Sequence, residues 1–302
     1  MKPLALLRAL RPHQWVKNVF VLAAIAFAVL QHGHFSLEGL GEPIRRTLFA
    51  FASFCLGASA IYLINDVMDV ESDRKHPTKR RRPIAAGEVT IPAALVLSTL
   101  CIAAAMALGF AAGGEPISVA WVVAGYMVMN FAYSVKLKHV VLVDTFVIAT
   151  GFLLRVVAGG LAANEEISHW LFLCTFFLAL FLGLCKRRAE TDLLGEGRGE
   201  HRAILVEYSN GFLDQMVTAM AACTILTYTM YTVSDETVGK FGHDRLVWTV
   251  PFVVFGLGRY LLLVQTQRGG GSPTRVLLGG DVPFLINTLG WLGAVLLATI
   301  RR

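Results

Sequence analysis

The chain has 302 residues, 55% of them hydrophobic and only 16% charged, with a mean hydropathy of +0.61. Soluble domains carry roughly 25% charged residues, so the composition excludes an ordinary soluble enzyme and points to an integral membrane protein. The net charge of +6 comes without any basic, aromatic-interleaved soluble segment, which argues against nucleic acid as a partner, and the five scattered cysteines imply neither disulfides nor a metal cage.

A helix needs about 20 apolar residues to cross a bilayer. Nine segments fit: 16–31, 47–68, 91–111, 118–135, 140–162, 168–185, 212–232, 246–264 and 282–300. Lipid does not tolerate unpaired backbone, and the period-two alternation of a barrel is absent. The expected fold is therefore all-α, a polytopic bundle of about nine transmembrane helices making one integral membrane domain over 1–302. The first apolar run starts only after Arg11-Pro12-His13-Gln14-Trp15 and reads as an anchor, not a cleaved leader.

Orientation follows from the bases. With the N-terminus inside, nineteen of the 27 Lys and Arg fall in inner segments, among them Lys2, Arg198, Arg202, Arg268 and Arg275. Six fall outside, including Arg301 and Arg302, while Arg155 and Arg259 lie within spans. This predicts a multi-pass protein of the inner (plasma) membrane, with its N-terminus and charged loops cytoplasmic.

The densest charge lies just after the second span, in "INDVMDVESDRK" at 64–75. Asp66, Asp69 and Asp73 are spaced i, i+3 and i+7, which puts them on one face of a helix; Asn65 flanks the first and Glu71 points elsewhere. Three carboxylates on one stripe repel unless a cation sits among them. Hard oxygen donors at this spacing suit Mg²⁺, which keeps waters and takes one or two carboxylates plus substrate phosphates. The plain alternative is a solvated helix end with local ion pairs. Lys79, Arg80, Arg81 and Arg82 follow at once, so a diphosphate can be gripped from both sides. Positive-inside charge accounts for part of that run.

A second cluster, "CKRRAETD" at 185–192, ends the sixth span. Lys186 and Glu190 share a face at i, i+4, with Arg187 beside them. Glu190 is a candidate metal ligand; Lys186 and Arg187 are candidate phosphate ligands. Arg155 and Arg259 each need a polar cavity or a partner inside the bundle, and Asp144 is one candidate. Lys17 and Asn18, at the mouth of the first span, are candidates for an acceptor phosphate, and Tyr208 for a polar contact.

Together these residues resemble the UbiA-type intramembrane prenyltransferase superfamily. Its mark, Asn-Asp-x-x-Asp-x-x-x-Asp, is matched by Asn65, Asp66, Asp69 and Asp73. Typical members carry a second Asp-x-x-x-Asp, where this chain has Lys-Arg-Arg-Ala-Glu at 186–190. That departure, with "LRPHQWVKN" (10–18), "HPTKRRRPIAAG" (76–87), "YSVKLKHVVLVD" (133–144), "LRVVAGG" (154–160) and "YSNGFLD" (208–214), is similar to the branch of polyprenyl-phosphate phosphoribosyltransferases. The resemblance implies a Mg²⁺-dependent transferase that moves a phosphoribosyl group from a soluble diphosphate donor to a lipid polyprenyl phosphate. The ordinary prenyl transfer of the family to a small acceptor is the alternative. A transporter whose acids bind a coupling ion fits less well, because such sites lie near the membrane midplane. Homo-oligomerisation and the choice between Mg²⁺ and Mn²⁺ stay open.

Overall fold

The structure, a computed structural model, describes residues 3–31, 41–194, 207–266 and 280–299. The loop bases Lys2, Arg198, Arg202, Arg268, Arg275, Arg301 and Arg302 lie outside the described residues. Within them, every regular element is helical. The chain runs through α1 (Pro3–Leu10), a 3-10 stretch (Pro12–Leu22), α2 (Ala23–Gln31), α3 (Gly41–Met68), α4 (Val70–Lys75), α5 (Ile91–Ala112), α6 (Val119–Val135) and α7 (Val143–Ala163). It continues with α8 (His169–Leu194), α9 (Asn210–Val233), α10 (Asp235–Phe241), α11 (Val250–Gln265) and α12 (Val282–Thr299).

Seven helices among the described residues are long and apolar enough to cross a membrane, against the nine segments expected: α3, α5, α7, α8, α9, α11 with its lead-in from Arg245, and α12. The difference is one of length and continuity. Helix α6 has 17 residues, about 26 Å at 1.5 Å per residue, short of a hydrocarbon core of about 30 Å. The expected first span is broken into the 3-10 stretch, which starts at Pro12, and the short α2.

The helix starts carry local signals. Thr90 precedes α5, which has a proline in its first turn, and α11 likewise has Pro251 there. Ser209 caps α9 by accepting from the Phe212 N–H at 3.1 Å.

The described residues fall into two compact units. Unit 1 draws on Met1–Phe27, Leu37–Val135 and Leu154–Glu166. Its core packs Ala50, Phe54, Ala58 and Ile61 of α3 with Ala105 and Ala112 of α5, Val119, Val123 and Tyr126 of α6, and Ala158 and Ala162 of α7. Small residues let the backbones approach, as is usual where lipid removes the hydrophobic drive between helices. At Gly109 a Cβ would come within 2.7 Å of the Ala120 Cα, so no larger residue fits between α5 and α6.

Unit 2 draws on Ala28–Ser36, Lys136–Leu153 and Ile167–Arg302. Its main core joins Phe181, Leu184 and Cys185 of α8 with Leu213 and Val217 of α9 and Leu257, Tyr260 and Leu263 of α11. In the spanning windows of α3 and α7, 61% of residues are buried, against 22% in α5 and 17% in α12. Helices α5 and α12 therefore turn most of their apolar surface outward, through Leu95, Val96 and Leu100 on one and Ile286, Leu289 and Leu297 on the other. Such faces suit lipid and would be a liability in water.

Candidate active site

Unit 1 carries the acidic stripe. Helix α3 ends at Met68 and α4 begins at Val70, yet the ladder runs on through the break: the Asp69 N–H donates to the Asn65 carbonyl at 2.9 Å and the Asp73 N–H to the Asp69 carbonyl at 2.8 Å. That continuity keeps the i, i+3, i+7 register. Asp66 and Asp73 are 2% and 1% exposed, so this is not a solvated helix end.

Arginines close over the two acids. Arg82 Nη1 donates to Asp66 Oδ1 at 3.0 Å and to Asp73 Oδ2 at 2.6 Å, bridging them. Arg11 Nη2 donates to the same Asp66 Oδ1, and its guanidinium sits 5.0 Å from the centre of the Tyr62 ring. Lys79 approaches Asp73 at 3.9 Å. Asp69 is half-buried between the two acids, and Glu71 is exposed and pairs with Arg74 at 2.9 Å. Arg81 is exposed, and its carbonyl accepts from Arg8 Nη2 at 3.3 Å.

Two oxygens in this network are buried with no hydrogen-bond partner: Asn65 Oδ1 and Asp66 Oδ2. An orphaned buried acceptor costs on the order of 1–3 kcal/mol. Hard oxygens without donors are the kind of ligand that a divalent cation such as Mg²⁺ takes. The chemistry of these two oxygens is compatible with a hard cation, while no group of three or more His, Cys, Asp or Glu among the described residues is disposed to hold a metal.

The rest of the expected acceptor group in unit 1 is internal. Asn18 is buried: its Oδ1 accepts from Arg155 Nε at 2.7 Å and its Nδ2 donates to Cys55 Sγ at 3.2 Å. Arg155 Nη2 donates to the Tyr126 hydroxyl at 2.9 Å, and its guanidinium lies 4.7 Å from that ring's centre. Lys17, the neighbour of Asn18, is half-buried. One turn beyond Arg155, a Cβ on Gly159 would run into the Val21 carbonyl, so the 3-10 stretch lies directly against α7.

Unit 2 holds the second cluster. Arg187 is 1% exposed, its Nε donating to Asp144 Oδ2 at 2.7 Å and its Nη1 to Glu190 Oε2 at 2.6 Å. The Tyr208 hydroxyl donates to Asp144 Oδ1 at 2.8 Å and accepts the Leu142 N–H at 2.7 Å. Leu142 has a left-handed backbone, φ 64°, which a bulky residue adopts only when its surroundings demand it. Burial pushes the Tyr208 phenol up to about 12. Lys186 is exposed and stands 3.9 Å from Glu190 Oε1. Asp144 therefore partners Arg187, not Arg155 or Arg259; Arg259 makes a two-pronged pair with Asp281, at 3.0 and 2.8 Å.

Residues 19–275 match the model of the UbiA prenyltransferase family. The chain belongs to the UbiA prenyltransferase family. Such proteins are integral to membranes, in keeping with the seven apolar helices. Several relatives are named decaprenyl-phosphate phosphoribosyltransferase. The protein from Corynebacterium glutamicum is 35% identical over 97% of this chain and 86% of its own length. That from Mycolicibacterium smegmatis is 34% identical over 96% and 91%, and that from Mycobacterium tuberculosis 37% over 95% and 92%. Among solved structures, a UbiA homolog from Archaeoglobus fulgidus bound to GPP and Mg²⁺ superposes with a TM-score of 0.70 at 18% identity, covering 98% of this chain and 99% of that one. The same homolog bound to Cd²⁺ gives 0.64 at 16% identity, covering 97% and 98%. At that identity the likeness shows the UbiA fold.

Two contacts of the charged clusters escape the sequence reading. Arg11 stands in the quoted "LRPHQWVKN" without an assigned role, although it holds Asp66 from 55 positions away. Asp144 is read as a partner for the wrong arginine. Neither contact has a spacing signal, because both cross between elements far apart in the chain.

Proposed function

We propose that this chain transfers a 5-phosphoribosyl group from phosphoribosyl diphosphate to a polyprenyl phosphate and releases diphosphate. The near full-length likeness to proteins named for that activity carries the reading. The chemistry of unit 1 supports it. Asp66, Asp69 and Asp73 are the residues assigned to hold Mg²⁺, with Asn65 assigned to substrate, and that ion when bound would supply stabilisation of the charge that grows on a departing diphosphate.

The protein's own groups do the rest. Arg82 fixes Asp66 and Asp73 in one orientation, so the unpartnered Asp66 Oδ2 is set before substrate arrives. Lys79 and Arg81, both exposed, are assigned to donor phosphates. In unit 2, Glu190 is assigned as a further carboxylate for metal and Lys186 as a phosphate ligand, with Arg187 and Tyr208 holding that cluster in shape. The anomeric carbon takes on oxocarbenium character as its bond to diphosphate lengthens. An oxygen of the lipid phosphate attacks that carbon. A phosphate monoester is largely ionised near neutrality, so the step needs no strong general base. Buried Asn18 and Arg155 anchor the 3-10 stretch that bears Lys17. The bias of Lys and Arg supports a cytoplasmic N-terminus and cytoplasmic acidic stripe in an inner (plasma) membrane.

The test is direct. Membranes containing the chain are incubated with labelled phosphoribosyl diphosphate and polyprenyl phosphate, and the lipid phase is counted. Label in the lipid, lost on adding a chelator, is the expected result. Label that enters only from a prenyl diphosphate onto a small aromatic acceptor would replace the reading with ordinary prenyl transfer.

A further inference from the structure

A cleft of about 550 Å³ opens in unit 1 beside the acidic stripe, with Arg8, Arg11, His13 and Arg82 on its charged side and Leu7 and Pro83 among its apolar walls. We propose that this cleft is the subsite for a phosphate monoester, with Arg11 and Arg82 as fixed guanidinium donors and Arg8 and His13 as its rim. The inference rests on the transferase reading for the identity of its ligands.

Arg11 is the decisive residue. Its backbone is left-handed, φ 53° and ψ 57°, and it precedes Pro12. That conformation is doubly disfavoured, because the residue is not glycine and because a following proline pushes its neighbour toward extended backbone. Such an outlier persists where the surroundings over-determine it, and it clusters at working sites. Arg11 lines the cleft, and its guanidinium meets Asp66.

Both inner arginines are held at one end. Arg11 meets Asp66 through Nη2, and Arg82 meets Asp66 and Asp73 through Nη1. A guanidinium carries five N–H donors in a rigid fork, so an arginine anchored at one nitrogen keeps others to offer a phosphate. His13 is exposed, and Arg8 is half-exposed and tied to Glu88 at 3.1 Å. Of α1, Leu7 lines the cleft and Leu4 is exposed as well, while Ala5 and Ala9 pack the helix onto the core. These exposed leucines suit a lipid phosphate, with its head at the arginines and its tail along α1. The donor's 5-phosphate has the same head-group chemistry.

The experiment uses the purified full-length protein in detergent. Two variants are compared with wild type: Arg11→Gln, and the double variant Arg8→Gln/His13→Asn, which changes exposed side chains only. Steady-state kinetics gives KM for the lipid phosphate and for phosphoribosyl diphosphate, and calorimetry gives Kd for farnesyl phosphate and for ribose 5-phosphate. Loss of a charge-assisted contact predicts a rise of roughly tenfold or more in KM and Kd for one phosphate ester, with a smaller change in kcat. Arg11→Lys restores part of the loss. A rise confined to the lipid and farnesyl phosphate assigns the cleft to the acceptor; a rise confined to the donor and ribose 5-phosphate assigns it to the donor; either supports the subsite. Unchanged KM and Kd for both esters, or a fall in kcat alone, overturns it. Arg11-dependent binding of farnesyl phosphate by a chain that transfers no phosphoribosyl group would leave the subsite standing and remove the transferase reading.

Discussion

The two charged clusters use the same residue types to opposite ends. In unit 1 the carboxylates are buried and the arginines that hold them come from flanking segments with part of their surface in solvent: Arg11 and Arg82 are 20% and 28% exposed. One oxygen of Asp66 is left without a donor. In unit 2 the arginine itself is buried, and both oxygens of Asp144 are taken, one by Arg187 and one by Tyr208. The first network has acceptor capacity left over, which is the basis for proposing a cation there; the second is closed around Asp144 and presents Lys186 and Glu190 at its edge. An unsatisfied buried group calls for an explanation, of which a missing ligand is one, whereas a fully satisfied network rigidifies its surroundings.

If unit 2 is a support, breaking it hits the fold hardest. Arg187→Ala leaves Asp144 buried without its cation, which costs about 3–5 kcal/mol. Thermal unfolding in detergent should show a large fall in Tm. The double variant Arg187→Met/Asp144→Asn should recover much of that loss, since removing both charges is far less costly than removing one. A small effect of Arg187→Ala would erase the distinction between the clusters.

The acidic stripe should respond in the opposite sense. Asp66→Asn keeps the shape and leaves Arg82 paired with Asp73, but it removes the charge proposed to face a cation. Transfer should fall roughly 100- to 1,000-fold, with Tm moving much less than in Arg187→Ala. Binding of Mn²⁺ followed by electron paramagnetic resonance should weaken in parallel. An active Asp66→Asn protein would show that the stripe serves structure only.

Tyr208 sharpens the comparison at intermediate size. Tyr208→Phe leaves the Leu142 N–H and one Asp144 oxygen without their present partner, at about 1–3 kcal/mol. Burial raises the phenol from its ordinary 10.0 to about 12. A raised pKa in the fold means that the neutral hydroxyl stabilises the native state fully below pH 10, and that this contribution is lost as pH rises through 12. Wild type should therefore lose stability between pH 10 and 12 by more than Tyr208→Phe does, measured as the difference between their unfolding midpoints.

How much of this the sequence discloses depends on separation along the chain. The acidic stripe is legible because helical spacing is a local property: Asn65, Asp66, Asp69 and Asp73 fall within nine residues, and the ladder through Asp69 keeps their register. The apolar helices are legible for the same reason, although spans counted by composition cannot register the 3-10 geometry of Pro12–Leu22 or the shortness of α6. The partners of buried charges are not legible. Arg155 needs polar company, and the need is plain from its place in an apolar run; that Asn18 and Tyr126 answer it, 137 and 29 positions away, is a matter of packing. Arg187 looks like a phosphate ligand until its neighbours enclose it.

The smallest effect is a control on the whole contrast. Glu71 lies within the acidic stretch, yet it is off the stripe, and its ion pair with Arg74 joins side chains that are 78% and 51% exposed. Exposed pairs of this kind contribute about 0.2–1 kcal/mol. Glu71→Gln should shift Tm barely and leave the rate of transfer within about twofold of wild type, since neither the orphaned oxygens nor the bridging arginine is touched. A loss in Glu71→Gln as deep as that in Asp66→Asn would mean that acidity alone, not position on the buried face, makes this segment work.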